Sequence, residues 1–478
     1  MKKIIFLYDN IELPNKRIQK IIGNKSYADI ILKKKTVYSR YLEALEKEKI
    51  INRIVRLDNI EDRENFIDKI ANITEELNIV LLSSKFVLID SEEFKHLINK
   101  APYITEKIIV ESGTGIAMAM YNNVHDYIKD IESKMKLENC SKIHTDSILN
   151  IGDYNNFLKY ISGGFDARYF NSLNTDENIV IKSSQDKTKI KKEYVYYTLL
   201  PEDMKKWMVA PYNYEETEEE ASYTMERLYV PDIAIRWVHG AITEKELRNI
   251  LEKTFYYINS RKSKQISQEE YLKEANALYI DKLEKRIKDL KQCEEYATIA
   301  NYIKVGTNYN SIDEIVEEYK EIYYRVISKE KKFNSVIGHG DLCFSNMLYD
   351  DDINLLKLID PKGALVEEEL WTNPNYDIAK LSHSICGRYD FFNSGAYEIM
   401  LDNNLKFKLE IKSDNEKYIE IFKEYLEKNN IDYNAIRTYE ASLFLSMLPL
   451  HMDYPKKVFG FILNAINIIA ELKGMIKK

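Results

Sequence analysis

The chain is short of the residues that build fibrous or cross-linked proteins. Glycine supplies 15 and proline 9 of its 478 residues, too few for a collagen-like or flexible-repeat architecture. Cysteine occurs four times, at 140, 293, 343 and 386. No two of these make a C-x-x-C pair, and no Cys/His group has zinc spacing. A reduced, cytoplasmic protein is the expectation. Positive charge is in deficit: 69 Lys and Arg stand against 77 Asp and Glu, a net charge of −8. Phosphate backbones select basic surfaces, so nucleic acid is not the expected partner. No run of about 18 apolar residues is found, so no transmembrane helix and no membrane insertion are expected. The start, Lys2-Lys3-Ile4-Ile5-Phe6-Leu7, is broken by Asp9 and Asn10, short of the ~7–15 apolar residues of a signal peptide.

What is present suits a globular chain: 45% of residues are apolar and 31% charged, a balance that excludes wholesale disorder. At about 150 residues per domain the length allows two to four domains. Residues 1–145 read as a small α/β domain. Lys3–Tyr8, Ile79–Leu82, Phe86–Ile89 and Ile108–Val110 have the pattern of strands. Glu61–Leu77 and Val124–Met135 have helical spacing. The polar stretch Glu138–Lys142 marks the expected boundary.

Residues 146–230 change character. Phe157–Ile161, Ala167–Ser172, Asn178–Ser183, Met208–Tyr212 and Ser222–Tyr229 read as antiparallel strands, with a helix at Lys189–Leu199 and a solvated acidic turn at Glu215–Glu220. Residues 231–478 read as mostly helical. Thr243–Glu246 and Ser267–Glu270 are capping-box starts. One long helix is expected after the second, its stripe running through Leu272, Ala275, Leu278, Leu283, Ile287 and Leu290. Another is expected over Asp313–Lys329.

One segment carries chemistry: Gly338-His339-Gly340-Asp341-Leu342-Cys343-Phe344-Ser345-Asn346, an H-x-D-x-x-x-x-N pattern, followed by Asp360 in Leu358-Ile359-Asp360-Pro361-Lys362-Gly363. Phosphoryl transfer needs positioning and charge neutralisation more than covalent help. Asp341 is placed to take the proton of an acceptor hydroxyl. Asn346 and Asp360 offer the oxygen ligands that magnesium favours. Asp350-Asp351-Asp352 reads as a hairpin turn between them.

This pattern resembles the catalytic and metal-binding segments of the aminoglycoside phosphotransferase and choline kinase superfamily, small-molecule relatives of the protein kinases. The resemblance covers roughly residues 150–478. It implies an α+β, protein-kinase-like two-lobe fold, with an antiparallel-sheet lobe and a mostly helical lobe, preceded by the separate α/β domain. It implies Mg2+ as cofactor, ATP or GTP as phosphoryl donor and a small-molecule hydroxyl as acceptor. His339 braces the catalytic loop in relatives. Lys182, ending the strand Val180-Ile181-Lys182, is similar to the phosphate-pairing lysine of kinases. Glu193, eleven residues on, is similar to the carboxylate that orients it, though it reads equally as a solvent-facing helix charge. Gly163 and Gly164 offer a phosphate-covering turn, or a plain hairpin. Backbone between Glu226 and Leu228 is where an adenine would bond, or an ordinary strand end.

The stretch Trp371–Ser384, with Gly387-Arg388-Tyr389-Asp390, looks like a subgroup of these phosphotransferases found with capsular and surface-polysaccharide enzymes. Asp377 resembles the family acid that caps a helix and supports the catalytic loop. Trp371, Tyr376 and Tyr389 are candidates to line the acceptor pocket, as an aromatic cage or as core packing. A sugar for surface polysaccharide is the first expected acceptor, an amino alcohol such as choline the second, an aminoglycoside the third. A non-catalytic nucleotide-binding scaffold is the alternative. The first ~140 residues look remotely like a sugar nucleotidyltransferase. Tyr8–Pro14, however, holds no glycine where such enzymes carry a glycine-rich loop, and position 118 is Met118 where G-x-G-x-x-G needs a third glycine. A scaffold, docking or degenerate domain is expected there.

Overall fold

The computed structural model describes residues 2–32, 34–71, 77–113, 115–133, 140–161, 178–413 and 415–476. The chain divides into two compact units, Met1–Asn171 and Ser172–Lys478.

The first unit is built on a six-stranded mixed sheet. Its strands are β1 (Lys3–Asp9), β2 (Ile51–Leu57), β3 (Leu77–Ser83), β4 (Ile108–Ser112), β5 (Gly115–Tyr121) and β6 (Ser141–His144). They lie in the order β2-β1-β3-β5-β4-β6. β1 pairs in parallel with both β2 and β3. A strand so enclosed is covered on both faces, which explains the unbroken apolar run Ile4–Tyr8. α1 (Ile60–Ile70) and α2 (Val124–Glu132) bring Phe66, Ile70 and Tyr127 onto Ile5, Leu7, Ile79 and Leu81.

Three expectations are corrected here. The helix expected over Glu61–Leu77 ends at Ile70, and Leu77 opens β3, because the run Leu77–Leu82 is buried by pairing beside β1. Ile73 lies outside the described residues. The strand expected over Phe157–Ile161 is a helix, α3 (Tyr154–Ile161). Asp153 Oδ1 accepts the Asn156 N–H at 2.9 Å at its start, and Phe157, Leu158, Tyr160 and Ile161 are buried at helical spacing. The unit also runs past the boundary expected near 145. β6 pairs in parallel with β4, and Ile148–Asn150 pairs with Phe86–Leu88 in a separate two-stranded sheet, so these residues belong to the first unit. Ala167–Ser172, with Gly163 and Gly164, lies outside the described residues.

The second unit is an α+β fold with a small sheet-bearing lobe and a larger helical lobe. Its smaller lobe holds β7 (Ile179–Ser184), α4 (Lys187–Leu199), β8 (Pro211–Glu216) and β9 (Ala221–Glu226). These strands form an antiparallel sheet ordered β7-β9-β8. The larger lobe is helical. α5 (Glu244–Ser260) and α6 (Gln268–Asn276) both begin with complete capping boxes. The long helix expected after Ser267 is interrupted. A π turn at Ala277–Asp281 separates α6 from α7 (Lys282–Lys291). The turn absorbs one extra residue, so that the consecutive Tyr279 and Ile280 are both buried. α8 (Ile312–Ile327) follows.

β10 (Asn334–Ile337) leads into the H-x-D loop. β11 (Met347–Asp350) and β12 (Leu355–Leu358) form the expected hairpin around the three aspartates. β13 (Trp371–Thr372) pairs with β10 and leads to α9 (Tyr376–Ile385) and α10 (Tyr389–Ser394).

The last helix, α11 (Pro455–Ile476), corrects the reading of hydropathy. Over 21 residues it is long and apolar enough to cross a bilayer, the one such helix among the described residues. Scattered lysines and asparagines kept it from reading as an apolar run. Its Val458, Phe461, Ile462, Ala465 and Ile469 are buried in the core of the unit.

Candidate functional site

The pleat of β7 and the first turns of α4 bring two opposite charges together. Lys182 Nζ lies 2.7 Å from Glu193 Oε2 and 2.8 Å from Asp360 Oδ1. Glu193 is 5% exposed, so it is no solvent-facing helix charge. The Tyr223 hydroxyl, from the neighbouring strand β9, donates to Glu193 Oε2 at 2.9 Å. Burial alone would lower the Lys182 pKa. Asp360 and Glu193 outweigh it and hold the ammonium charged.

Asp360 follows β12 with φ of +56°, a left-handed conformation that costs a non-glycine residue energy. Gly363, at φ +84°, is packed so closely on α4 that a Cβ there would sit 2.7 Å from the Lys192 carbonyl carbon and 2.9 Å from the Glu193 nitrogen. The Ala364 N–H donates to Lys192 O at 3.0 Å. The segment after Asp360 is thus seated on the helix that carries Glu193.

The loop from Gly338 to Asn346 is held from below. Asp377 is fully buried and accepts N–H groups from His339 (2.9 Å) and Gly340 (2.8 Å). Arg261 completes the arrangement at 2.8 Å. Asp377 does not cap its helix. Asn375 occupies the N-cap position of α9, and the Asp377 carboxylate is spent on the loop. His339 is buried, its Nδ1 accepting the Asp341 N–H at 3.3 Å. Burial lowers its pKa, the carboxylates of Asp377 and Asp341 pulling only partly back, so the ring is neutral and inward.

Asp341 keeps 40% of its side chain exposed. Asn346 Nδ2 donates to its carbonyl oxygen at 2.9 Å and to its Oδ2 at 3.0 Å. Lys380 Nζ lies 2.9 Å from Oδ1. Burial pushes the Asp341 carboxyl up, and Lys380 more than reverses this, so its pKa lies below the ordinary aspartate value. The hairpin closes the circle. The Ile359 N–H donates to Asn346 O and the Lys362 N–H to His339 O, both at 3.0 Å. Through the Ile359 backbone, Asp341 and Asn346 are thus tied to the residue next to Asp360, which itself meets Lys182 and, through it, Glu193.

No group of three or more Cys, His, Asp or Glu with the geometry of a metal cage exists among the described residues. The donors suit magnesium all the same, since that ion takes one or two protein oxygens and completes its shell with waters and substrate phosphate. Asp360 is 41% exposed, and Asn346, its side-chain nitrogen given to Asp341, carries the side-chain Oδ1 as the oxygen it would offer.

Of the three candidate rings, Trp371 stands apart, while Tyr376 and Tyr389 both lie near the Asp341–Lys380 pair. Trp371 lies in β13, its ring covered by Lys264 Nζ at 4.2 Å. Tyr376 is buried, its hydroxyl accepting from Lys282 at 3.1 Å. Tyr389 stacks on His383 at 4.3 Å. Among the described residues no ring contact joins these three. Glu226 ends β9 exposed, the next N–H (Arg227) donating to Asn178 O at 2.9 Å, and Leu228 is half-buried beyond it.

Sequence reasoning missed Lys380, Arg261 and Ser384, whose hydroxyl accepts the Phe344 N–H at 3.0 Å. Lys380 had a signal, standing three residues after Asp377 on a helix, hence on the same face. Arg261 had none. It lies 116 residues from its partner.

In the first unit, the carboxyl ends of β1 and β2 are filled by the chain itself. Asn10 donates to Asp58 at 2.7 Å and to Ser26 at 3.0 Å. Arg56 grips Asp29 at 2.9 and 3.1 Å, and Arg63 holds Asp9 at 2.7 Å. Ligands of open α/β sheets bind at such strand ends.

No family model and no curated protein matches the chain. Among solved structures it is similar to a thermostable mutant of aminoglycoside phosphotransferase APH(4)-Ia in its apo form, at 12% identity, covering 61% of this chain and 87% of that one with a TM-score of 0.35. A ternary complex of the same enzyme with ADP and hygromycin B aligns at 10% identity over 64% and 97%, TM-score 0.36. A putative nucleotide-diphospho-sugar transferase from Desulfovibrio desulfuricans aligns at 10% identity over 35% and 90%, TM-score 0.24.

Proposed function

We propose that the protein is a magnesium-dependent kinase that moves the γ-phosphate of ATP or GTP to a hydroxyl of a small molecule. The observation that carries this reading is Lys182 shared between Glu193 and Asp360, within one contact chain of Asp341 and Asn346. Lys182, oriented by Glu193, would take the donor's phosphates. Asn346 and Asp360 would hold magnesium, which neutralises phosphate charge. Asp341 receives the acceptor's hydroxyl proton as the new O–P bond forms and the bond to the leaving nucleoside diphosphate breaks. Asp377 and Arg261 keep the loop backbone in place meanwhile.

The acceptor we favour is a sugar destined for surface polysaccharide, phosphorylated in the cytoplasm. Lys264 already covers Trp371 and Tyr376 is buried, which speaks against an aromatic cage for choline. To the first unit we assign a scaffold or docking role, supported by the side-chain network that fills its strand ends.

The test is ADP and GDP release with magnesium against a panel of sugars, amino alcohols and aminoglycosides, with the Asp341→Ala protein as control. Acceptor-stimulated release that vanishes in the variant supports the reading. Tight magnesium-nucleotide binding with no release on any acceptor or water contradicts it.

A further inference from the structure

We infer that Lys380 is a positioning residue for the transfer reaction, its ammonium 2.9 Å from Asp341 Oδ1 fixing the orientation of that carboxylate toward the acceptor hydroxyl. The inference rests on the phosphotransferase reading and adds to it a residue from outside the H-x-D-x-x-x-x-N loop.

Three residues on one face of α9 serve that loop. Asp377 takes the His339 and Gly340 N–H groups, Ser384 takes the Phe344 N–H, and Lys380, between them at helical spacing, takes the Asp341 carboxylate. The other carboxylate oxygen is held by Asn346 at 3.0 Å. One donor from the loop and one from the helix pin both oxygens, so the plane of the carboxylate is set. With either donor alone it is free to turn about its Cβ–Cγ bond.

The surroundings argue against a purely structural pair. Lys380 keeps 14% of its side chain exposed, while Asp341 stays 40% exposed. A largely buried ion pair is a weak way to stabilise a fold, because desolvation offsets most of the attraction. A lysine spent on a half-open carboxylate instead keeps charge and geometry at the surface where an acceptor arrives. Near the pair lie the Cys343 thiol, the Tyr376 and Tyr389 hydroxyls, His339, the Asn346 amide and the Asp390 carboxyl, with Lys282 one contact further out on the Tyr376 hydroxyl. Among the described residues Lys380 is the cation that pairs directly with Asp341.

In the transfer, the acceptor oxygen bonds to phosphorus and the bond to the leaving diphosphate oxygen breaks with its electron pair. The hydroxyl proton passes to Asp341. Misorientation of the receiving oxygen slows this step without changing how the nucleotide is held, since Lys182, Glu193 and Asp360 are untouched.

The experiment compares full-length wild type, Lys380→Met and Lys380→Arg in magnesium-dependent ADP or GDP release, with the best acceptor of the panel or with water. For Lys380→Met, kcat is expected to fall 30- to 300-fold with the nucleotide KM within threefold, and Lys380→Arg to recover to within tenfold of wild type. Melting curves verify folding, and Lys380→Gln takes the place of the Met variant if that one does not fold. A kcat within threefold of wild type, or a raised KM with kcat unchanged, overturns the proposal while wild-type turnover upholds the kinase reading. Absence of turnover in the wild type overturns both.

Discussion

Lys182 and Asp360, 178 residues apart in sequence, meet at 2.8 Å. Each is also committed elsewhere: Lys182 to Glu193, and Asp360 to a left-handed backbone held in place by the segment that follows. On the proposed kinase reading, magnesium would compete for the Asp360 carboxylate and the donor's phosphates for the Lys182 ammonium.

Asp360→Ala is therefore expected to weaken magnesium-dependent nucleotide binding at least tenfold while leaving metal-free nucleotide binding nearly unchanged or improved, because Lys182 is released from one partner. Titration calorimetry with and without magnesium reads both. Equal affinities for wild type and variant in magnesium would remove Asp360 from the metal site.

Asp341→Ala should lower turnover by two to four orders of magnitude, on the order expected for a lost general base, with nucleotide Kd within threefold. Retained turnover would contradict the assigned role.

Gly363→Ala places a methyl group against the Lys192 and Glu193 backbone, at a positive φ. Destabilisation of about 2 kcal/mol or more is expected, read by chemical denaturation, with activity lost alongside because Glu193 and Asp360 are displaced together. A neutral substitution would show that α4 yields freely to the loop.

Arg261 and Asp377 are a buried pair, 2% and 0% exposed. Arg261→Met leaves Asp377 without its cation and should cost about 3–5 kcal/mol. Arg261→Met combined with Asp377→Asn should cost less than the two single changes summed. Additive losses in the denaturation cycle would mean the two residues act separately.

Asp390, 2% exposed near the start of α10, gives the pH prediction. Burial pushes its carboxyl up from 3.8 to about 7, the Ser384 hydroxyl pulling partly back. The folded state thus holds a proton that the unfolded chain has lost between about pH 4 and 7, so stability falls as pH rises through that window. Asp390→Asn should flatten this slope and make the variant more stable than wild type at pH 8, by at most about 4 kcal/mol. Parallel stability curves for the two proteins would refute the assignment.

The parts of the site that lie close in sequence were legible in it. His339, Asp341 and Asn346 fall within one loop, and Asp360 follows a short apolar strand whose hairpin partner is equally plain. Lys182 and Glu193 were readable because a strand end followed by a helix brings them together locally. What was hidden depends on pairing across distance. Arg261 reaches Asp377 only once β10 and β13 are side by side. The polar stretch Glu138–Lys142 was read as the domain boundary because its polarity was visible, whereas the pairing of Ser141–His144 with β4 and of Ile148–Asn150 with Phe86–Leu88 was not. Of the three aromatic residues near 371–389, a strand carries Trp371 away under Lys264, while Tyr376 and Tyr389 stay near Asp341 and Lys380, held by Lys282 and a His383 stack rather than by each other. The helix end at Ile70 was lost to the competing pull of the central sheet on Leu77.

The contact between Gly363 and α4 is made of backbone and the Lys192 Cβ, an atom every residue but glycine supplies. A joint of that kind carries no side-chain identity, so substitutions along the surface of α4 can accumulate without loosening it. Apart from Lys182, Glu193 and Tyr223, the small lobe can drift in sequence while its seat under Asp360 stays mechanically the same, and the joint turns on a position with no side chain at all.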